Sequence, residues 1–440
     1  MTDAGPHGPT LSLDDLNRAL LARQHLLGPG AAVALPQGAG PALAEVDHLV
    51  GLQSQVPTTP YAGLWSRLAG FRTGDLAERF RDRSVTRIAV MRGTVHLVTA
   101  DDALELPGLL RPLLESGARV GSVHAKALVG TDLDDVAAAA RDLLDERPLT
   151  PGELGRLLGR RWPTVDPQHL AYAARCFLPL VQVTPRGLWG ASGPGTSTTW
   201  TTADAWFGRA SRPLRDPEER AAALVRLVRR YLAAFGPATV KDAQRWSGLT
   251  GLREAVDRLR PELVTFTGPD GKEYLDLPDA PRPGARTPAP VVLVAEFDNL
   301  VLGHADRTRV VDDARRRAIT TVNGQVPGTV LVDGYVAATW KVRRVGPGRK
   351  TEPDAAAHLD VTPLGRSFTS AQRTALEERG LELLRFVAPE ASEHAVEVAA
   401  VQRVPAVPPQ AATGATSPAW SAVRSPVSPA RAARRPSTIV

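Results

Sequence analysis

Gln53 and Gln55 flank Ser54 where an apolar stretch ending at Leu52 runs toward Pro57. A carboxamide is not a strong base, but it donates and accepts at once, so it can hold a water in place. At i and i+2 of an extended segment the two side chains share a face. Such a pair suits a reaction with a good leaving group, in which the water needs placing more than deprotonating. Alone the triplet says little, because glutamine pairs occur by chance in many loops.

Its neighbours say more. Arg92-Gly93-Thr94-Val95-His96 follows at what reads as a hairpin tip, and on a strand Arg92, Thr94 and His96 line one face. Pro185-Arg186-Gly187 reads as a second tip. Arg92, Thr94, His96 and Arg186 are therefore candidate contacts to a nucleic-acid backbone, joined by Arg67 and Arg307 from basic stretches. The competing reading is a set of surface arginines in turns and on solvated helix faces. Glu296-Phe297-Asp298-Asn299 and His304-Ala305-Asp306-Arg307 form a dense polar cluster. The simplest pairing sets its acids against Arg307 and Arg309; the other use of a carboxylate there is in a catalytic centre. Trp189 and Trp340 read as packing residues, and Cys176, on an apolar helix, as a small buried hydrophobe.

Composition narrows the classes. The chain has 440 residues, 43% of them hydrophobic, and a formal charge of +6. That length asks for about two to four structural units. No apolar run reaches the roughly 18 residues of a membrane span, and the acidic N-terminal residues are unlike a secretory signal. One cysteine excludes an internal disulfide and fits a reducing cytoplasm. The histidines lack metal-ligand spacing, so no metal and no cofactor is expected. No phosphate-binding loop of the G-x-x-x-x-G-K-[ST] type is present. Much of the positive charge sits in a tail: residues 401–440 hold five arginines and no acid. Residues 60–99 still carry seven arginines against three acids.

The elements that must position these residues recur along the chain. Ser12 and Asp15 make a capping box before a helix from Leu13. Helices near 42–50, 60–69 and 73–82 precede strands Val85–Val90 and Thr94–Thr99, a winged-helix pattern. Helices near 132–146, 151–160 and 167–176 then precede strands at 179–184 and 187–190, and helices at 217–234, 239–246 and 250–259 precede strands at 263–267 and 273–277. The fold class is α+β. Its expected parts are a flexible N-terminus (1–10), three tandem winged-helix units (11–125, 126–212 and 213–280), a linker (281–290), a small β-barrel-like domain (291–401) and a disordered basic tail (402–440). Within the last domain, a helix at 370–379 should lead to a strand at 381–387.

The chain resembles the winged-helix DNA glycosylases of the AlkZ/YcaQ type over residues 11–400. The resemblance rests on Gly51-Leu52-Gln53-Ser54-Gln55, MRGTVHLVTADD (91–102), PRGLWG (185–190) and AEFDNLVLGHADRTRVV (295–311). It implies tandem winged helices cradling a β-barrel in a C shape, with two glutamines around one residue as catalytic motif, matched by Gln53 and Gln55. Ser54 departs from the apolar residue usual between them. The implied reaction is base excision by a monofunctional DNA N-glycosylase, a hydrolase acting on bulky alkylated purines and on interstrand crosslinks made by bacterial DNA-alkylating antibiotics. The implied partner is duplex DNA carrying such purines, acted on by a nucleoid-associated monomer. A non-enzymatic winged-helix regulator is the alternative, and a partner-binding scaffold with incidental DNA affinity is a third reading.

Overall fold

The computed structural model describes residues 8–28, 40–191, 196–320, 324–346 and 355–404. The tail expected to be disordered, and most of the N-terminal segment, lie outside them.

The helix Leu13–Arg23 starts at the predicted capping box, with Ser12 and Asp15 bonded reciprocally. Leu16, Leu20 and Leu21 are buried, but so is its polar side. Asn17 donates its Nδ2 to the carbonyls of Arg309 (2.6 Å) and Gly334 (2.9 Å). Arg23 grips both oxygens of Asp276 at 2.6 and 2.7 Å with neither side chain exposed. One N-terminal helix thus ties together segments more than two hundred residues away. An apolar-stripe reading alone misses this.

Strands β1 (Leu52–Gln53), β2 (Val85–Ala89), β3 (Val95–Thr99), β4 (Leu180–Gln182) and β5 (Trp200–Thr202) form one antiparallel sheet in the order β1-β3-β2-β4-β5. The first hairpin lies where the spacing predicts. The second does not: β4 pairs with β5, and residues 185–190 make turns instead of a strand. The reason is aromatic packing. The Tyr61 hydroxyl donates to the Gly187 carbonyl at 2.9 Å, and Trp189 packs on Tyr61 with ring centroids 4.9 Å apart. Gly187 has φ 100°, a conformation open to glycine and costly for other residues.

Helices Pro217–Phe235, Val240–Ser247 and Arg253–Leu259 precede the hairpin of β6 (Val264–Thr267) and β7 (Glu273–Asp276), in register from Val264↔Asp276 to Thr267↔Glu273. The C-terminal sheet contains β8 (Val292–Val294), β9 (Gly328–Val332), β10 (Tyr335–Val345), β11 (Ala356–Pro363) and β12 (Glu393–Val398). Its order is β12-β11-β10-β9-β8. Among the described residues it is an open sheet; the expected barrel does not close, because β8 and β12 remain separate edges.

Helix Ser370–Val387 crosses from β11 to its parallel partner β12. It absorbs the strand expected at 381–387. Leu376, Gly380, Leu383 and Leu384 keep a helical period along its buried face. At Gly380 an added Cβ would come within 2.7 Å of Val396 and 2.9 Å of Leu359, so the helix lies directly on the sheet. Asp312 caps a short helix at Asp313–Ile319. Among the described residues no helix is long and apolar enough to cross a membrane.

Candidate active site

Gln53 sits on β1, an edge strand, opposite His96 on β3. The chain reaches it through a backbone under strain. Val50 has φ 52° and Gly51 has φ 95°. A β-branched residue at positive φ is a genuine outlier. A Cβ on Gly51 would lie 2.7 Å from the Leu97 carbonyl oxygen, so only glycine lets β1 close onto β3. Ser54 continues the pairing by donating its backbone N–H to Val95 at 2.8 Å.

The three residues of the triplet part company. Gln53 is 7% exposed, Ser54 is sealed at 0%, and Gln55 is exposed. Gln53 lines a small cavity with Thr59, Gly63, Arg67, Glu296 and Asn299. Its volume is about 10 Å³, roughly what the centre of one water needs and far short of a purine. Gln55 stands outside this lining, and its Oε1 accepts from the Val95 N–H at 3.4 Å. Ser54 faces the other way. Its Oγ and its carbonyl accept from Arg87 at 2.9 and 2.6 Å, and Arg87 also donates to Gln182 on β4. A hydroxyl between the glutamines thus serves a buried arginine in the place of apolar packing.

Arg92 does not extend from the hairpin tip into solvent. Its backbone is left-handed (φ 56°), and its guanidinium turns inward. It donates to the Trp246 carbonyl at 2.5 Å, to Gln53 Oε1 at 2.8 Å and to Asn299 Oδ1 at 2.7 Å. Arginine has only donors, so both amides must present their oxygens to it. Gln53 Nε2 is left toward the cavity, and Asn299 Nδ2 is buried with no partner among the described residues. Burial, with Arg245 and Arg307 nearby, brings the Arg92 pKa down to about 9, still a cation at neutral pH.

His96 is fully buried; its Nδ1 donates to the Thr94 carbonyl at 3.0 Å and its Nε2 faces Arg92 at 3.5 Å. Burial first, and Arg92 second, push its pKa down to about 3, so it is neutral. The Thr94 hydroxyl donates to the Met91 carbonyl at 3.1 Å.

Arg67 is also turned inward. It is 6% exposed and forks onto Asp298, with both contacts at 2.9 Å, and it donates to Gln24 Oε1 at 3.0 Å. The acids of the 296–299 cluster therefore do not pair with Arg307 or Arg309: Asp298 takes Arg67, and Arg309 lies 3.7 Å from Asp242. Arg307 makes one weak bond from Nε to the His304 carbonyl at 3.4 Å. Burial first, and the nearby Arg245 and Arg316 second, lower its pKa to about 10. Arg186 lies apart from this group, half-buried, and donates to the Thr196 carbonyl at 2.8 Å.

The structure thus sets Gln53 and Arg67 on the wall of one cavity, with Arg92 and His96 behind Gln53, and leaves Gln55 outside the lining. Asn299 and Glu296, which line it from the far end of the chain, had only their place in a dense polar cluster to mark them in the sequence. Glu296 is half-buried, and among the described residues its carboxylate has no hydrogen-bond or ionic partner. Burial pushes its pKa above the usual value.

Comparison with known proteins shows the family and the fold. Residues 46–386 match the family described as "DNA glycosylase AlkZ-like". The interstrand DNA cross-link repair glycosylase of Streptomyces sahachiroi is 26% identical over 314 residues, 68% of this chain and 81% of that protein. The solved structure of the Streptomyces sahachiroi DNA glycosylase AlkZ superposes with a TM-score of 0.68 at 20% identity, covering 89% of this chain and all of that one, which establishes a common fold. The chain belongs to the AlkZ-like DNA glycosylase family.

Proposed function

We propose that this protein hydrolyses the N-glycosidic bond of bulky N7-alkylated purines in duplex DNA and unhooks interstrand crosslinks, with Gln53 and Gln55 as its catalytic pair. The observation that carries the reading is Gln53: a carboxamide fixed by Arg92 at the wall of a cavity sized for one water. An N7-alkylated purine is already cationic and leaves as a neutral base, so the sugar moves toward an oxocarbenium ion. The barrier then falls mainly through placing water against the sugar and through matched electrostatics.

Gln53 Nε2 donates to the oxygen of that water, which points a lone pair outward. Gln55, exposed beside it, meets the deoxyribose from the rim. A purine does not fit the cavity, so the lesion stays outside it and bulk on the base is no obstacle, in contrast to enzymes that swallow a flipped nucleotide. Arg307 and Arg186 are the phosphate contacts of choice, since Arg92 and Arg67 are committed inside. Tandem winged-helix units presenting this surface to DNA, monofunctional hydrolysis and a monomeric enzyme complete the reading.

The test is incubation with duplexes carrying single N7-alkylguanines or a crosslink, scored for free base and abasic sites. Gln53→Ala and Gln55→Ala are expected to lose base release by at least about 10²-fold with DNA binding nearly intact. Full activity of the double variant refutes the assignment. A sequence-specific footprint on undamaged DNA with no base release would make the protein a regulator instead.

A further inference from the structure

Attack by water at the sugar carbon leaves a proton to be taken up. The bond from C1′ to the purine nitrogen breaks, its electron pair neutralises the cationic base, a C1′–O bond forms, and one water proton must go to an acceptor. The two glutamine oxygens are poorly placed to receive it. Gln53 Oε1 already accepts from the Arg92 guanidinium at 2.8 Å, and Gln55 Oε1 from the Val95 N–H at 3.4 Å. An amide whose oxygen faces a cation is also a poor negative pole for a cationic sugar.

We propose that Glu296 is a further catalytic residue: its carboxylate takes the proton of the attacking water and offsets the positive charge of the sugar. The inference rests on the glycosylase reading above. Three observations carry it. The charged side chains lining the cavity are Arg67, Asp298 and Glu296. Arg67 and Asp298 consume each other in a two-pronged pair, and Asp298 Oδ1 also accepts from the Leu300 N–H at 2.8 Å. Glu296 alone among them has no partner, and neither of its oxygens is among the sealed, unpartnered polar atoms, so both reach solvent. The backbone directly after it is strained, with Phe297 at φ 57°. That left-handed residue separates the two acids that flank it, so that Asp298 is taken by Arg67 and Glu296 is not. A bulky residue held at positive φ is a cost tolerated where it positions a site.

The surrounding charges leave Glu296 free to titrate on its own account. From helix Thr59–Trp65 and the turn after it comes Arg67, neutralised by Asp298. Behind Gln53 stand the Arg92 cation and His96, which stays neutral. Burial raises the Glu296 carboxyl above its ordinary value, which makes its carboxylate the stronger base. The proton passes from water to Glu296 and from there to solvent, since its oxygens are open.

The test is single-turnover release of free base, by chromatography, from a duplex carrying one N7-alkylguanine, using the full chain. The wild type is expected to show a rate that rises with pH as one acid ionises and then levels. Glu296→Gln should lower the plateau by roughly 10²-fold and flatten the acid limb, with DNA affinity and melting temperature unchanged. Glu296→Asp should restore part of the rate with its acid limb at lower pH. Glu296→Gln with wild-type rate and wild-type acid limb overturns the proposal while leaving the glycosylase reading intact. Loss of rate that only tracks lost DNA affinity or stability overturns it too, in favour of a structural role. A wild type that releases no base from alkylated or crosslinked duplex defeats the glycosylase reading itself.

Discussion

Arg92→Ala is expected to disable the cavity without weakening the grip on DNA. The arginine supplies donors to three acceptors: the Trp246 carbonyl, Gln53 Oε1 and Asn299 Oδ1. Removing it strands the buried ones at about 1–3 kcal/mol each. Gln53 can turn its oxygen to the water-sized cavity and recover part of its share. Burying a guanidinium is itself costly, which returns some of the loss. The net destabilisation comes to about 2–4 kcal/mol, read as a melting temperature lowered by several degrees. The freed Gln53 amide no longer aims its N–H at one point, and misplacement on the scale of an ångström costs about 10²-fold in rate. Arg92→Lys should not rescue, because one ammonium cannot fork across three acceptors. The assays are thermal melting, single-turnover base release, and DNA affinity against salt. A phosphate contact gives a different pattern: unchanged melting, and a log-log salt slope shallower by about one. That pattern would refute the inward role.

Two further outcomes follow. Arg307→Ala should weaken DNA binding evenly across sequences and reduce the salt slope by about one, with melting lowered less than by Arg92→Ala, because the bond it loses is a weak 3.4 Å contact; titration by anisotropy at several salt concentrations checks it. His96 is held near pKa 3 against an ordinary 6.5, so between these values the unfolded chain binds a proton that the folded chain refuses. Its contribution to stability is whole above about pH 6.5 and is lost as pH falls toward 3. His96→Gln should therefore show a shallower loss of stability on acidification, by an amount on the order of a few kcal/mol, seen in melting curves across that range.

What could be read from the sequence was local. The capping box at Ser12, the turn at Met91-Arg92-Gly93 and the hairpin β6–β7 each depend on residues a few positions apart. The amide chemistry proposed for Gln53 belongs to its type, so the expectation could be framed from the sequence. What the reading missed depends on distant partners. Residues 187–190 look like a strand, yet Trp189 is claimed by Tyr61 and Phe386. Residues 381–387 look like a strand, yet Gly380 lets them lie on the sheet as a helix. Arg67 and Arg92 look like surface cations because their acceptors, Asp298 and Asn299, come from the other end of the chain. Glu296 looked like half of an ion pair, and only the claim of Arg67 on Asp298 shows it to be unpaired.

The direction of these arginines has an electrostatic logic. A cationic purine and a cationic sugar would be repelled by a guanidinium pointing at them. In this fold the two arginines nearest the cavity face oxygens instead. Arg67 is cancelled by Asp298, and Arg92 is screened by the oxygens of Gln53 and Asn299. On the proposed reading, the surfaces turned to the substrate are the neutral Gln53 amide and the Glu296 carboxylate on the cavity wall, while the less committed arginines, Arg307 and Arg186, are the ones left to meet phosphates. On that reading positive charge fixes acceptor geometry inside and holds DNA outside, and the reacting centre keeps a neutral-to-negative face. A cation introduced at the cavity wall, as in Glu296→Lys, runs against that arrangement. It should suppress release of a cationic base more strongly than Glu296→Gln, even as it raises affinity for undamaged DNA, and equal rates for the two variants would argue that charge at this wall is irrelevant to the reaction.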